Sequence, residues 1–498
     1  MSDRFDCDVL VIGLGPVGDC MAALASLQGL KVIAVDREPG IFPLPRAAVF
    51  DHEIMRVFQM MGVAERIAPL CRMPERYQFL TPGRDVLLEF RFAPQKVSGW
   101  AESYALHQPG VEEVLRERLA ELDVDIRLET QCERLEQDED GVHVTLRDAQ
   151  GESTVRARYV VSCDGAASPT RRALGVGLFD YAFDEPWLVL DTIIDDAGDM
   201  PRLCEQICDP RRPATYLAMS GNRFRWEFML KPGENPDDLL QDAVIRDLVA
   251  PWNCADRMTI ERKAIYRFHG LVAEDWKVGR ILLAGDAAHQ MPPFAGQGMC
   301  SGIRDTVNLA WKLAWVIRGD AGDALLDTYQ TEREPHVRSI IETAIAMGKI
   351  ICLQDEVAAA ARDAELLARQ AAGEQDLSVD YPALSGGCLT GLPDAGALFL
   401  QPVTGEDRFD RLLGLDAALI GRDLPPVSIP GLRVLDLSAP EMAPFAPALT
   451  DWLQDRGVPA VLVRPDRHVF GAGDPEELVR QWTGKLQETE NAQVKIPA

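Results

Sequence analysis

A chain of 498 residues, 47% hydrophobic and 26% charged, is long enough for two or three domains that each bury a core. Its formal net charge of −27 speaks against a nucleic-acid surface, which needs Lys and Arg in excess to meet phosphates. No stretch reaches the roughly 18 uninterrupted apolar residues of a membrane span, so neither nucleic acid nor membrane is an expected partner.

The opening MSDRFDCDVLVIG carries acidic groups and runs straight into a strand pattern, so no signal peptide is expected. The eleven cysteines are scattered. Cys204 and Cys208 are near neighbours, but no second pair completes a metal site, and no metal is expected. Buried free thiols in a reducing compartment fit best, which makes the cytoplasm the expected location.

In chain order, an apolar run from Cys7 to Ile12 ends at Gly13, a helix follows from Pro16 to Leu27, and residues 31–35 form a second buried strand ending at Asp36. This is a βαβ unit. Residues 74–100 are strand-like with Pro and Gly breaks, and 110–122 are helical. Alternation around 126–128, 142–146 and 155–161 predicts more sheet. The β-rich stretches 187–194 and 223–230 bracket irregular sequence and suit a separate sheet over a pocket. A buried strand at 280–284 precedes an amphipathic helix at 302–317 and a long helix at 324–347. Residues 356–375 read as a surface helix and 374–387 as a linker. Short strands near 432–435, 460–464 and 468–470 predict a small terminal α/β unit.

Three motifs carry chemistry. Gly13-Leu14-Gly15-Pro16-Val17-Gly18 is a GxGxxG between strand and helix. Gly13 permits the tight turn, Gly15 lets a pyrophosphate approach, and Gly18 lets the helix pack on the strand. The helix N-terminus offers free N–H groups to phosphate. Asp36, 23 residues after Gly13, is placed to accept from ribose hydroxyls. Asp164-Gly165 follows a second strand. Gly285-Asp286 ends a third and leads into Pro292-Pro293-Phe294-Ala295-Gly296-Gln297-Gly298, whose glycines bare backbone N–H groups at the start of a helix.

In this order the motifs resemble those of the single-component flavoprotein aromatic hydroxylases, the fold family of p-hydroxybenzoate hydroxylase, and most of all the 3-(3-hydroxyphenyl)propionate 2-hydroxylase group. PRAAVFDHE at 45–53, RFRWEFMLKPGE at 223–234, the stretch 285–319 and DALLDTYQTER at 323–333 carry the likeness, which covers roughly residues 5–345. It implies an α/β fold with three parts. A Rossmann-like FAD-binding domain of the GR2 type would take 1–75, 105–180 and 270–350, and an inserted β-rich substrate domain 76–104 and 181–269. A helix and linker at 351–385 would lead to a degenerate thioredoxin-like domain at 386–498. No cysteine lies beyond Cys388, so that last domain has no dithiol chemistry. Packing or subunit contacts, as in a homodimer, are its expected roles.

The resemblance further implies cofactor roles. Gly13, Gly15, Pro16, Val17 and Gly18 would meet the pyrophosphate, Asp36 and Arg37 the adenosine end, and Arg46 and Gln108 the pyrophosphate or ribityl region. Asp286 would hold the ribityl chain. Pro293, Gly296 and the backbone around Gly298, Met299 and Cys300 would face the flavin, and Asp164 and Gly165 would lie where pyrophosphates pass. NADH or NADPH would visit as a transient co-substrate, NADH by analogy with the nearest relatives. The implied activity is hydroxylation of a phenol with O₂ through a flavin C4a-hydroperoxide. Asp51 and His52 are candidates to take the phenol proton, although Asp51 also suits a helix cap. Alternation places Arg223 and Arg225 on one strand face and Trp226 and Phe228 on the other. The basic face would hold a substrate carboxylate or nicotinamide phosphates, or else face solvent. Residues 181–187, Trp100 and Tyr104 are candidate pocket aromatics, and His289 is read as scaffold. Other readings of the same scaffold are a Baeyer–Villiger, epoxidising or halogenating flavoenzyme, though no WxWxIP signature is recognisable, or a non-catalytic flavin-binding redox module.

Overall fold

The computed structural model describes residues 5–373 and 381–488. Its first sheet runs in the order Lys277–Val278, Ile281–Leu283, Gly151–Ser162, Cys7–Ile12, Val32–Val35 and Asp125–Arg127. The last five strands are parallel. Cys7–Ile12 sits where the order reverses: the chain steps first to Val32–Val35 on one side, then to Gly151–Ser162 on the other. Ligands in open α/β sheets bind beyond the carboxyl ends of strands at such a point. Here those ends deliver Gly13, Asp36, Cys163 and Ala284 to one rim. A meander of Gln131–Gln137, Val142–Asp148 and Gly151–Ser162 extends the sheet.

The second sheet runs His289–Gln290, Met258–Ala273, Leu178–Ile194, Arg223–Met229, Ala214–Ala218, Cys204–Ile207, Arg76–Leu80 and Val86–Arg91. Two of its strands fall in the stretch expected to be irregular. Cys204–Ile207 and Ala214–Ala218 are only 4 and 5 residues long, too short to show a period in sequence. The outer face buries Leu188, Leu190, Phe224, Trp226 and Phe228 against the Asp242–Val249 helix. Arg225, Glu227, Thr215 and Gln206 are left on the inner face.

The Gly298–Arg318 helix departs from the amphipathic expectation. Every residue from Cys300 to Trp315 is buried, including Arg304, Asp305 and Lys312. These charges are paired inside the protein, so the face that looks solvent-directed in sequence is an ion-pair face. The following helix, Ala324–Ile351, carries Pro335 internally. Glu356–Ala371 is the expected surface helix, with only Ala359 buried. Residues 374–380 of the expected linker lie outside the described residues.

The terminal unit is a four-stranded mixed sheet in the order Leu432–Asp436, Ala417–Gly421, Ala460–Val463 and Val469–Gly473, with helices Ala446–Arg456 and Pro475–Gln487. Trp482 joins Trp311 and Trp315 in an aromatic cluster, with ring centroids 5.4–6.1 Å apart, at the contact with the first sheet's helices. Among the described residues no helix is long and apolar enough to cross a membrane, and no His, Cys, Asp and Glu cluster suits a metal.

Candidate active site

The strand ends of the first sheet, the inner face of the second and the terminal unit border one cavity of about 1170 Å³. Single-ligand sites commonly measure roughly 300–1,000 Å³, so this one has room for a large cofactor and a second molecule. Of the residues expected to meet the cofactor, Gly15, Pro16, Val17, Arg46, Gln108, Gly165, Asp286, Pro293, Gly296, Gly298 and Met299 line it. Gly13, Gly18, Gly285 and Cys300 stand behind the wall. Asp36, Arg37 and Asp164 do not border it either.

The turn at Gly13 explains the spacing of the first motif. Gly13 has φ +93°, and a Cβ there would stand 2.5 Å from the Cys163 carbonyl. A Cβ on Gly18 would stand 1.8 Å from the Gly13 carbonyl, so helix and strand meet only without side chains. Gly15 is different, because nothing lies within 4 Å of where its Cβ would be. Asp36 braces the loop, accepting from the N–H of Leu14 at 2.6 Å and of Glu38 at 2.9 Å. Arg37 pairs with Glu38 at the surface. Arg116, which the sequence reading did not single out, donates to the Leu14 carbonyl and pairs with buried Asp19 at 2.7 Å.

The helices Pro16–Leu27 and Gly298–Arg318 both start on this cavity, and neither has a side-chain cap. Their first-turn N–H groups and positive dipole ends therefore favour negative charge from two directions. That arrangement fits FAD, whose pyrophosphate is anionic and whose flavin N1 and O2 gain charge on reduction. Gln108 holds the Arg46 loop, accepting from the N–H of Arg46 at 3.0 Å and of Ala47 at 2.5 Å while donating to Glu112 at 2.6 Å. Asp286 projects into the cavity, and the enclosing protein raises its carboxyl above the ordinary value against the pull of His289 and Arg46. Asp305 anchors the Gly285 turn, accepting from its N–H at 3.0 Å, from His289 Nε2 at 2.7 Å and from Arg333 Nε at 2.9 Å. His289 is thus buried scaffold. Asp164 accepts from the Thr170 N–H at 3.0 Å, and among the described residues its other, buried oxygen has no hydrogen-bond partner.

Asp51 and His52 both border the cavity, in different states of engagement. One Asp51 oxygen caps the His52–Met60 helix, accepting from the N–H of Glu53 at 2.9 Å and of Ile54 at 3.2 Å. The other accepts from Arg304 Nη2 at 2.5 Å. Arg304 also donates to Glu53 at 2.6 Å and Gln297 at 2.9 Å. Burial would raise the Glu53 carboxyl, yet Arg304 and then His468 hold it well below the usual range. His52 Nδ1 lies 3.0 Å from Ser98 Oγ, and burial lowers its pKa.

On the sheet, Arg225 reaches the cavity and Arg223 does not. Arg223 pairs with Glu261 at 3.1 Å. Arg225 forms a two-pronged pair with Asp191 at 2.7 and 3.0 Å and donates to the carbonyls of Arg46 and Pro45. Arg262 donates to the Pro45 carbonyl and to the Tyr266 hydroxyl. The basic face is therefore occupied by the protein itself. Trp226 and Phe228 are on the opposite face, as alternation requires.

The aromatic wall is also different from the one expected. Trp100, Tyr104 and residues 181–187 are absent from it. Trp100 donates to Gln59, and Tyr104 stacks on Phe50 at 5.1 Å. Tyr77, Phe90, Phe268 and Phe294 line the cavity instead. Tyr77 donates to the Phe294 carbonyl at 3.0 Å and accepts from Gln206 at 2.9 Å, and Thr215 donates to Gln206 at 2.7 Å. This chain ties the substrate-side sheet to the Pro293–Ala295 turn. Arg304, Tyr77 and Gln206 escaped the sequence reading because their partners lie far along the chain. A charge inside an apolar helix was the one available signal, at Arg304.

Comparison with known proteins agrees with this geometry. The FAD binding domain family model matches residues 6–344. A probable NADH-specific resorcinol 4-hydroxylase from Rhodococcus jostii (strain RHA1) is 38% identical over 499 residues, covering 95% of this chain and 93% of that protein. A 3-(3-hydroxy-phenyl)propionate/3-hydroxycinnamic acid hydroxylase from Mycolicibacterium gilvum (strain PYR-GCK) is 36% identical over 367 residues. That match covers 73% of this chain and 63% of the relative, less than two thirds of its length. The crystal structure of aklavinone-11 hydroxylase with FAD and aklavinone has the same fold, with a TM-score of 0.80 at 23% identity over 98% of this chain and 100% of that one.

Proposed function

The chain belongs to the FAD binding domain family, and from that premise we propose that it is a flavin-dependent monooxygenase that hydroxylates a small neutral phenol of the resorcinol type, with NADH and O₂. The observation carrying the substrate class is that Arg225 and Arg262 on the inner sheet face are already engaged by Asp191, Tyr266 and backbone carbonyls. A substrate carboxylate entering there would displace buried ion pairs, at a cost of several kcal/mol. A relative that matches nearly the whole chain bears the name of a resorcinol hydroxylase at 38% identity, against 33% for a 3-(3-hydroxy-phenyl)propionate/3-hydroxycinnamic acid hydroxylase of equal coverage of this chain.

FAD, when bound and reduced by the nicotinamide, supplies the activated oxygen. The chain does the rest. The uncapped helix at Gly15 would receive the pyrophosphate, Asp286 the ribityl hydroxyls, and the uncapped helix at Gly298 the charge gained on flavin reduction. Tyr77, Phe90, Phe268 and Phe294 hold the ring and keep water out, which protects activated oxygen from wasteful release as peroxide. The phenol becomes a better nucleophile once its proton is taken, because its reference pKa of about 10 leaves it neutral at physiological pH.

The test is a substrate panel on the FAD-loaded protein, following NADH oxidation, O₂ uptake, peroxide and product mass. Resorcinol-type phenols should stimulate NADH oxidation and yield a product one oxygen heavier, with NADPH poorer than NADH. Tighter coupling with a carboxylate-bearing phenol than with its neutral counterpart would refute the substrate class.

A further inference from the structure

We propose that Glu227 is the group that accepts the hydrogen bond of the substrate's ring hydroxyl and takes its proton. This rests on the phenol reading above and names the residue that serves it.

Strand register places Glu227 on the inner face at the middle of the second sheet. It is paired with Val189 on one side and Thr215 on the other, with Gln206 next in the same row. The residue is 7% exposed and borders the cavity. Its neighbours leave it free to act. Thr215 spends its hydroxyl hydrogen on Gln206, and Gln206 turns its amide nitrogen to Tyr77, which donates to Phe294. Arg225 Nη1 is 4.0 Å away and donates to the Arg46 carbonyl, while Nη2 and Nε are taken by Pro45 and Asp191. Among the described residues its carboxylate accepts no hydrogen bond.

The other cavity carboxylates are committed. Both Asp51 oxygens are filled by the helix cap and Arg304, Glu53 is held by Arg304, Glu102 accepts from the Ala93 N–H and pairs with Lys96, and Asp286 is among the proposed cofactor groups. A buried carboxylate with open acceptor sites in a cavity suited to a phenol lacks only a donor, and a ring hydroxyl is one. The step is a transfer within that hydrogen bond. The phenol O–H bond breaks, its electron pair stays on the ring oxygen, and the proton joins a Glu227 oxygen.

The ionisable groups facing Glu227 are Arg225 on its own strand, Asp191 on the neighbouring strand, Arg262 one strand further, and Tyr77 and Cys204 across the sheet. Burial, the largest influence, raises the Glu227 carboxyl above its usual value, with Arg225 opposing. That moves it toward the phenol it would deprotonate and makes it the stronger base.

The experiment uses FAD-loaded wild type, Glu227→Gln, Glu227→Asp and His52→Gln with a resorcinol-type phenol. Failure of wild type with every phenol overturns the function reading itself. With wild type active, Glu227→Gln should keep its flavin spectrum and Tm but lose about 10²–10⁴-fold in kcat/KM near neutral pH. Activity should recover as the pH nears the phenol's own pKa, when substrate arrives already ionised. Glu227→Asp should restore part of the loss, and the phenolate absorption band of bound phenol should weaken in Glu227→Gln. A uniform loss at every pH means a structural role and overturns the proposal. So does an unchanged profile, or a pH shift in His52→Gln that Glu227→Gln lacks.

Discussion

Single positions in the first motif separate folding from binding. Gly18→Ala drives a methyl into the Gly13 carbonyl, so it should lower Tm sharply whether or not FAD is present. At Gly15 the Cβ of an Asp would meet no protein atom within 4 Å, and the carboxylate would repel a pyrophosphate at the proposed site. Gly15→Asp should fold with a near-native apo Tm and purify without flavin colour, and retention of full FAD absorbance would count against the assigned site. These glycines were legible in the sequence because their roles follow from steric limits over six residues. Glu227 was not, because its meaning depends on which strand face the cavity occupies and on what Arg225 has already bound.

At the scale of elements, the Gly298–Arg318 helix shows how pairing changes a pattern. Arg304 joins the start of this helix to Asp51 and Glu53 at the start of another. Arg304→Met leaves two buried carboxylates facing each other, and it should cost about 3–5 kcal/mol in denaturant unfolding. The chain from Thr215 through Gln206 and Tyr77 to Phe294 couples the second sheet to the turn that precedes the Gly298–Arg318 helix. Tyr77→Phe removes that link while keeping the ring. It should raise the fraction of NADH oxidised to peroxide rather than product, read as the peroxide-to-NADH ratio. Long elements with a clear period were legible. Cys204–Ile207 and Ala214–Ala218 were not, since a strand of four or five residues is defined by its neighbours in the sheet.

Over the whole molecule, buried charge docks the terminal unit. Arg464 pairs with Glu332 at 2.7 Å beside Lys312, and Asp410 pairs with Arg56 at 2.7 Å and Arg467 at 3.1 Å. The sequence indicated a small α/β unit at this end, but the pairs that dock it, Arg464–Glu332 and Arg56–Asp410, lie more than a hundred residues apart and were not legible. Burial alone would raise the Glu332 carboxyl, yet Arg464 and Lys312 hold it at about 2, below its usual 4.5. A depressed carboxyl stabilises the fold fully above its unfolded value and loses that contribution as pH falls through the folded one. Docking should therefore weaken between about pH 4.5 and 2, reported by fluorescence of the Trp311, Trp315 and Trp482 cluster before the first sheet melts. The same architecture bears on biosynthesis. The cavity wall begins at Gly15 and ends at His468, so a ribosome has made nearly the entire chain before the compartment can close. Nascent chains halted short of the terminal unit should hold flavin in a site open to water, and the finished enzyme should acquire its tightly held cofactor only after release.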